Sequence, residues 1–314
     1  MLLAEAFCTP GTNAIHSEFA FAIYGLSIQA TGAEIRVPKA HGADHAMAYG
    51  HALDAMAAAI DVFPAKTGFV GRGQDFGSGG LSVLTKPEVA MVYSDDCDEN
   101  SFGHLWWHFE HELEYPLVEL SLAQVEKGDL DGINTLILPE GIAVKDQEKL
   151  KEFAQKGGHI IAVGDAVKQF ADKDGFDLKT KPAPADDKKD NGEPKPLGSK
   201  SRAAMSDAVY GAIVKNKVDM TNPLAFGLGE TYFSLKTNSN RFEFLKNSTA
   251  IWLGETYQSY GFIGAKLRPQ LGSTLTAGTQ KIGRGSITYL VDPPLFRAFW
   301  QEGKLLFDNA VFFN

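Results

Sequence analysis

The stretch NTLILPEGIAVKDQEKLKEFAQKGGHIIAVGDAVKQF, residues 134–170, decides the fold class, because strand and helix patterns alternate along it. Residues 135–138 and 159–163 are short apolar runs, which is typical of buried parallel strands. Between them, residues 145–155 place apolar side chains on one stripe of a helix, which a glycine pair ends. A second helix is predicted directly after Gly164. The alternation predicts a parallel sheet covered by helices.

The same pattern continues on both sides of this stretch. Upstream, an apolar strand at residues 89–93 leads into a helix at 101–114 with an apolar stripe, followed by a strand at 117–120. Downstream, four late strands and a closing helix are expected to complete and extend the sheet, at residues 249–253, 261–265, 273–277, 286–291 and 295–312. We therefore expect an α/β fold with a doubly wound, mostly parallel, flavodoxin-like sheet.

The chain is expected to divide near residue 84. Residues 1–84 contain a strand candidate at 19–24, an Ala-rich helix at 44–60 and a Gly-rich stretch without the strand and helix that a dinucleotide fingerprint requires. We interpret them as a small joining segment and linker, and residues 85–314 as the main domain. Within that domain, residues 174–198 are rich in Lys, Asp and Pro, which predicts a mobile insertion.

Composition excludes several classes of function. The formal net charge of -9 over 314 residues argues against a nucleic-acid partner, because phosphate binding requires clustered Lys and Arg. No apolar run approaches the roughly 20 residues of a membrane helix, and the first nine residues lack the pattern of a signal peptide, so we expect no membrane span and no export signal. Cys8 and Cys97 leave the redox compartment open.

Polar residues follow three of the predicted strands. If the strands at 89–93, 135–138 and 159–163 are parallel neighbours, their carboxyl ends share one edge of the sheet, and this edge carries the candidate ligand-binding residues Asp95, Asp96, Glu140, Gly141, Gly164 and Asp165. Such an acidic crevice disfavours phosphate and carboxylate ligands and suits a cation, an amine or sugar hydroxyls. The alternative is an inherited, empty cleft whose carboxylates cap helices.

The acidic turn after residue 93 provides one metal hypothesis. Asp96, Asp98 and Asn100 match the opening of a calcium loop, although Ser101 and Trp107 replace its sixth-position Gly and twelfth-position Glu. The alternative is a solvated cluster with Asn100 as the helix N-cap.

Histidines provide the second metal hypothesis. The pairs His41 and His45, and His104 and His108, are each four residues apart, and His111 lies nearby. Four-residue spacing can place two zinc ligands on one helix face, but the Glu of the zinc-protease signature is Leu105 here. The alternative is an ordinary polar helix face.

Asp165 is a weak catalytic candidate, because it stands at a strand-to-helix turn where some hydrolases hold a carboxylate nucleophile. No His–Asp pair can be assigned to it by motif. The alternative is that Asp165 caps the following helix.

Five segments carry a resemblance to a known family: FGHLWWHFEHELEYP (102–116), LILPEG (136–141), GGHIIAVGDAV (157–167), NPLAFGLG (222–229) and GRGSITYLVDPPLFRAFWQEGKLLFDNAVFF (283–313). They resemble the C-terminal class I glutamine-amidotransferase-like domain behind the catalytic domain of bacterial zinc carboxypeptidases, in the carboxypeptidase A superfamily. The resemblance covers residues ~85 to 314. It implies a flavodoxin-like, amidotransferase-like fold and a periplasmic or secreted location.

The resemblance supplies no active site. The catalytic zinc domain is missing, so no cofactor is expected in this chain and zinc is expected only in that domain. At the strand-to-helix turn after residue 163, called the elbow, Gly164 and Asp165 stand where amidotransferases have a Cys nucleophile. The leading hypothesis is a non-catalytic accessory domain that recognises a catalytic domain, a peptide or a cell-envelope polymer. The alternatives are a hydrolase using Asp165 and a calcium- or zinc-stabilised binding module.

Overall fold

The structure is a computed structural model that describes residues 13–15, 34–36, 85–183 and 197–313. The chain divides into two units, Met1–Val83 and Leu84–Asn314. In the first unit, strand β1 (Asn13–Ile15) pairs in parallel with β2 (Glu34–Arg36). The strand expected at 19–24, the helix at 44–60, the Gly-rich stretch and the histidines at 41, 45 and 51 lie outside the described residues.

The second unit is built on a ten-stranded sheet. Its strands are β3 (Val89–Tyr93), β4 (Leu117–Ser121), β5 (Thr135–Leu138), β6 (His159–Val163), β7 (Val209–Val218), β8 (Thr231–Lys236), β9 (Thr249–Leu253), β10 (Ser259–Ile263), β11 (Thr274–Ile282) and β12 (Gly285–Leu290). Its α helices are α1 (Glu99–Trp107), α2 (Leu122–Lys127), α3 (Gln147–Gln155), α4 (Leu197–Ser206), α5 (Arg268–Leu271) and α6 (Gln301–Phe312). A π helix continues α1 over His108–Leu113, and 3₁₀ turns lie at Gly164–Phe170, Pro223–Ala225 and Phe296–Ala298.

One half of the sheet is parallel, and the α/β class is confirmed there. Strands lie in the order β4-β3-β5-β6-β12, and all four of these pairings are parallel. The short apolar runs of the sequence form β3, β5 and β6, whose side chains are buried on both faces. The helix expected after Gly164 is a 3₁₀ helix, and the one expected at 101–114 changes from α to π at His108.

The other half is antiparallel, which the sequence patterns did not indicate. The pairings β12-β11, β11-β9, β9-β7, β7-β10 and β7-β8 are all antiparallel, so the sheet as a whole is mixed. The reversal begins at the two-residue turn Gly283-Arg284 between β11 and β12, where Gly283 has φ +60°. A two-residue hairpin can join only antiparallel strands.

The core lies on both faces of the parallel half. On one face, Leu136 and Ile160 pack with Leu150 of α3. On the other, Ile137 and Phe307 belong to a second cluster that includes residues of α1 and α6. Alternate residues of a strand thus enter opposite clusters, as a sheet covered by helices on both sides requires. Among the described residues, no helix is long and apolar enough to cross a bilayer.

Strand β8 folds back over the sheet. It pairs only with β7, yet Tyr232 belongs to the same cluster as Ile137, and Ser234 and Lys236 hydrogen bond to Asp292 just beyond β12. These contacts span strands that are far apart in the sheet order, so the β7–β8 hairpin must curl over one face. The curl brings a lysine to the carboxyl end of the parallel strands.

The segment predicted to be mobile, residues 174–198, is packed against the core at its start. Phe176 and Leu178 are buried in the core, the Leu178 carbonyl accepts a hydrogen bond from the Asp172 N–H, and the Lys181 N–H donates to the Arg241 carbonyl. Apolar residues spaced by two positions anchor this part of the chain despite its charged neighbours. Residues 184–196 lie outside the described part.

Candidate ligand site at the carboxyl edge of the sheet

The loops after β3 and β5 meet at the carboxyl edge. The Asp98 N–H donates to the Glu140 carbonyl at 2.8 Å, and the Glu140 N–H donates to Ser101 Oγ at 3.2 Å. Gly141, at φ +86°, lies so close to the Asp96 carbonyl that a Cβ atom would overlap it. From β3 the chain crosses to β4 on one side and then returns to β5 on the other, so this is the topological switch point at which open α/β sheets bind ligands.

The loop after β6 joins the same group. Gly164 has φ +56°, and the Glu140 carboxyl group occupies the space that a Cβ atom on residue 164 would need. The Asp165 N–H donates to the Glu140 carboxylate. Burial, followed by the negative charges of Asp165 and Asp98, raises the pKa of Glu140 to about 7. Glu140 therefore exchanges its proton near neutral pH.

Asp165 is exposed and its carboxylate is already engaged. Its Oδ1 accepts a hydrogen bond from Asn240 Nδ2 at 2.8 Å, and its Oδ2 lies 3.0 Å from Lys168 Nζ. The helix-capping alternative is wrong, because Asp165 lies inside the 3₁₀ turn and Val163 occupies the cap position without a side-chain hydrogen bond. Neither partner of the carboxylate is a histidine.

A buried polar network lies next to these loops. Asp292 accepts hydrogen bonds from Ser234 Oγ at 2.6 Å and from Lys236 Nζ at 2.9 Å. Asn216 Nδ2 donates to Ser234 Oγ, and Thr276 Oγ1 donates to Asn216 Oδ1 at 2.7 Å. All five side chains are buried. Asp292 contributes to the raised pKa of Glu140, which links the network to the switch point electrostatically.

The acidic turn after β3 is mainly structural. Asp98, rather than Asn100, is the N-cap of α1, and its carboxylate accepts the Ser101 N–H at 2.7 Å. Asn100 lies within the helix, while Asp95 and Asp96 are exposed. No group of three or more potential metal ligands occurs in the described part of the chain. Burial, with a smaller effect of Asp98, raises the pKa of Cys97 to about 11.

The three histidines of the α1 and π segment do not converge. A ring nitrogen of His104 accepts the Arg297 N–H, His108 lies between two carboxylates, and the His111 ring packs 4.0 Å from the Trp107 ring. The three histidines whose spacing suggested a zinc site therefore each make a separate structural contact.

Three residues near the site were missed from the sequence: Lys236, Asn240 and Asp292. Asp292 lies two residues beyond the end of β12, as Glu140 does beyond β5, so the strand-end rule that found Glu140 and Asp165 would have found it had β12 been placed in the parallel half. Lys236 and Asn240 come from the curled β8 and the loop after it, and no local signal marks them.

Replacement of Glu140 by Gln tests the electrostatics of the edge. A carboxyl group whose pKa is raised on folding contributes stability that is fully present below its unfolded pKa of about 4.5 and is lost as the pH rises through about 7. We expect Glu140→Gln to be more stable than the wild type by about 1–3 kcal/mol near pH 8 and equal to it near pH 4. Urea unfolding at both pH values measures this, with Glu148→Gln, at an exposed position of α3, as the control. A variant less stable than wild type near pH 8 would contradict the burial argument.

Comparison with known proteins matches a short segment of the chain, and no family model matches. Over 60 residues the chain is 52% identical to histidinol-phosphate aminotransferase 2 of Pseudomonas aeruginosa, a segment that covers 19% of this chain and 15% of that protein. Over 101 residues it is 40% identical to histidinol-phosphate aminotransferase 2 of Methylococcus capsulatus, covering 29% and 27%. The chain thus spans far less than half of the relatives it matches.

Solved structures show only distant likeness. A GMP synthase-like protein from Thermoplasma acidophilum is 12% identical with a TM-score of 0.44, covering 71% of this chain and 92% of that one. A ThuA-like protein from Bacteroides uniformis is 11% identical with a TM-score of 0.42, covering 73% and 92%. At these values neither structure assigns a function.

Proposed function

We propose that residues 85–314 are a non-catalytic recognition domain of a zinc-carboxypeptidase-like protein. The observation that carries the proposal is which residue occupies the strand-to-helix turn after β6. An amidotransferase would hold its Cys nucleophile there, but here the side chain is that of Asp165, whose two oxygens are bound by Asn240 and Lys168. The order β4-β3-β5-β6-β12 corresponds to the second, first, third, fourth and fifth strands of a flavodoxin-like sheet, which supports the amidotransferase-like assignment.

The ligand proposed for the domain is a peptide amine or the hydroxyl groups of a cell-envelope polymer. The switch point presents the exposed Asp165, whose carboxylate can accept further hydrogen bonds, and the partly buried Glu140, which accepts or donates according to its protonation state. A negatively charged group would meet these carboxylates and Asp98, and would be repelled. The similarity to aminotransferases covers too small a part of those enzymes to propose their reaction for this chain.

The test separates recognition from catalysis. We expect the purified chain, with zinc added, to release no C-terminal residue from peptides and no ammonia from glutamine above a chelated control. In co-sedimentation with isolated peptidoglycan, we expect binding that Asp165→Ala weakens about tenfold, while Asp174→Ala on another exposed surface leaves it unchanged. Hydrolysis abolished by Asp165→Ala would instead establish a hydrolase, and equal binding by both variants would exclude this edge as the site.

A further inference from the structure

Four charged side chains join the π helix to α6, away from the edge described above. His108 and Glu112 come from the π helix, and Lys304 and Asp308 come from α6. His108 Nδ1 lies 2.5 Å from Glu112 Oε2, and His108 Nε2 lies 2.8 Å from Asp308 Oδ1. Lys304 Nζ donates to Glu112 Oε1 at 2.6 Å. The four groups form a continuous chain of charges across the two helices.

The hydrogen bonds fix where the protons must be. Glu112 accepts from Lys304 and is ionised, because these contacts lower its pKa against the opposing effect of burial. His108 Nδ1 must therefore carry a hydrogen. A second proton must lie between His108 Nε2 and Asp308 Oδ1, on either the ring or the carboxyl group, since two bare acceptors at 2.8 Å would repel each other.

The surroundings make that second proton important. His108 and Asp308 are both buried, and the Phe109 and Phe307 rings pack beside the imidazole. Asp308 Oδ2 is the one buried side-chain polar atom in the described part of the chain without a hydrogen-bond partner. An ionised carboxylate with an unpaired buried oxygen is costly, so the site favours retention of the proton.

We propose that His108, Glu112, Lys304 and Asp308 form a proton-dependent latch that holds α6 against the π helix and loosens when the proton shared by His108 and Asp308 is lost. Loss of this proton leaves a carboxylate facing a bare ring nitrogen inside the core. The charged groups around His108 are Glu112 on its own segment and Asp308 on α6, with Lys304 bound to Glu112; the other flank is aromatic.

The direction of the pH effect follows from both partners. Burial alone would lower the pKa of His108, but the hydrogen bonds to Asp308 and Glu112 outweigh it and raise that pKa. Burial raises the pKa of Asp308 to about 6. Groups with raised pKa values stabilise the fold most at low pH and lose this contribution as the pH rises through the folded values. The latch is therefore closed at mildly acidic pH and opens toward alkaline pH.

Hydrogen exchange of α6 in the full chain tests the latch. After correction for intrinsic exchange rates, we expect the protection of residues 301–312 to fall at least tenfold between about pH 6 and about pH 9 in the wild type. Asp308→Asn should remove this dependence, because its amide N–H can donate to His108 Nε2 at every pH. Exchange of α3 is the internal reference, and Glu119→Gln at an exposed position of β4 is the control variant that should behave as wild type.

Nitrogen chemical shifts of the His108 ring in the wild type provide a second measurement that needs no variant. We expect a titration midpoint above the ordinary histidine value of about 6.5, at the same pH as the loss of α6 protection. The proposal is overturned by protection that does not change with pH, by the same loss in Asp308→Asn, or by a His108 midpoint at or below the ordinary value. If Asp308→Asn does not fold, the wild-type midpoint and its coincidence with α6 exchange decide the question.

Discussion

Replacement of Asp292 by Ala is expected to lower the free energy of unfolding by about 3–5 kcal/mol, because it leaves the Lys236 ammonium group buried without an anion. The same change removes the acceptor of the Ser234 hydroxyl, which hydrogen bonds to Asp292 at 2.6 Å. Both groups then carry the cost of lost hydration without a partner. Urea unfolding at neutral pH measures the effect, and the wild type is the reference.

A paired variant separates the unpaired charge from the loss of packing. Lys236→Met in the Asp292→Ala background removes the stranded ammonium group, so we expect it to recover a large part of the lost stability. Lys168→Ala is the matched control, since Lys168 forms an ion pair with Asp165 in which both side chains are about half exposed, and it should cost less than about 1 kcal/mol. An Asp292→Ala effect as small as the Lys168→Ala effect would show that the Lys236 site is hydrated.

Replacement of Gly141 by Ala is expected to cost about 2–4 kcal/mol, from two sources. Its φ of +86° is unfavourable for any residue with a Cβ atom, and the Cβ would overlap the Asp96 carbonyl oxygen, which belongs to the backbone and cannot rotate away. The loop after β3 must then separate from the loop after β5, so we also expect weaker binding at the switch point.

Gly132→Ala is the matched control for this prediction. Gly132 has a similar φ of +78°, but no atom lies within 4 Å of a Cβ built on it. Its replacement therefore measures the backbone strain alone, at about 1–2 kcal/mol. Thermal and urea unfolding of both variants give the difference due to the close approach. Equal losses in the two variants would show that the Asp96 loop moves aside without cost.

The parallel half of the sheet could be predicted from the sequence because burial on both faces leaves a simple signal. The runs that became β3, β5 and β6 are apolar at nearly every position, and each ends at a proline, glycine or acidic turn. The antiparallel half leaves no such signal at β8. Its buried face carries Tyr232, Ser234 and Lys236, whereas Phe233 and Leu235 point to the partly exposed face. The hydrophobic pattern is thus inverted where the polar network forms.

The site, like the fold, could be predicted from the sequence where it lies at the ends of the parallel strands. The strand-end rule placed Glu140, Gly164 and Asp165 in contact, because it depends only on which strands are parallel neighbours. It could not supply Lys236, which reaches the edge only through the curl of β8, nor the cap at Asp98 in place of Asn100. Local cap preferences rank Asp and Asn equally, so the sequence left that choice open.

The position of β12 affects how the protein is synthesised. This strand completes the parallel half by pairing with β6, and the paired residues His159 and Ser286 are 127 positions apart in the chain. Until β12 leaves the ribosome, β6 therefore presents a largely apolar strand with one unpaired edge, a template for association between nascent chains. The high sequence separation of this pairing also slows its formation once β12 has left the ribosome. Expression yield should consequently depend on chaperones that bind extended apolar strands, even though the finished sheet leaves no edge at β6.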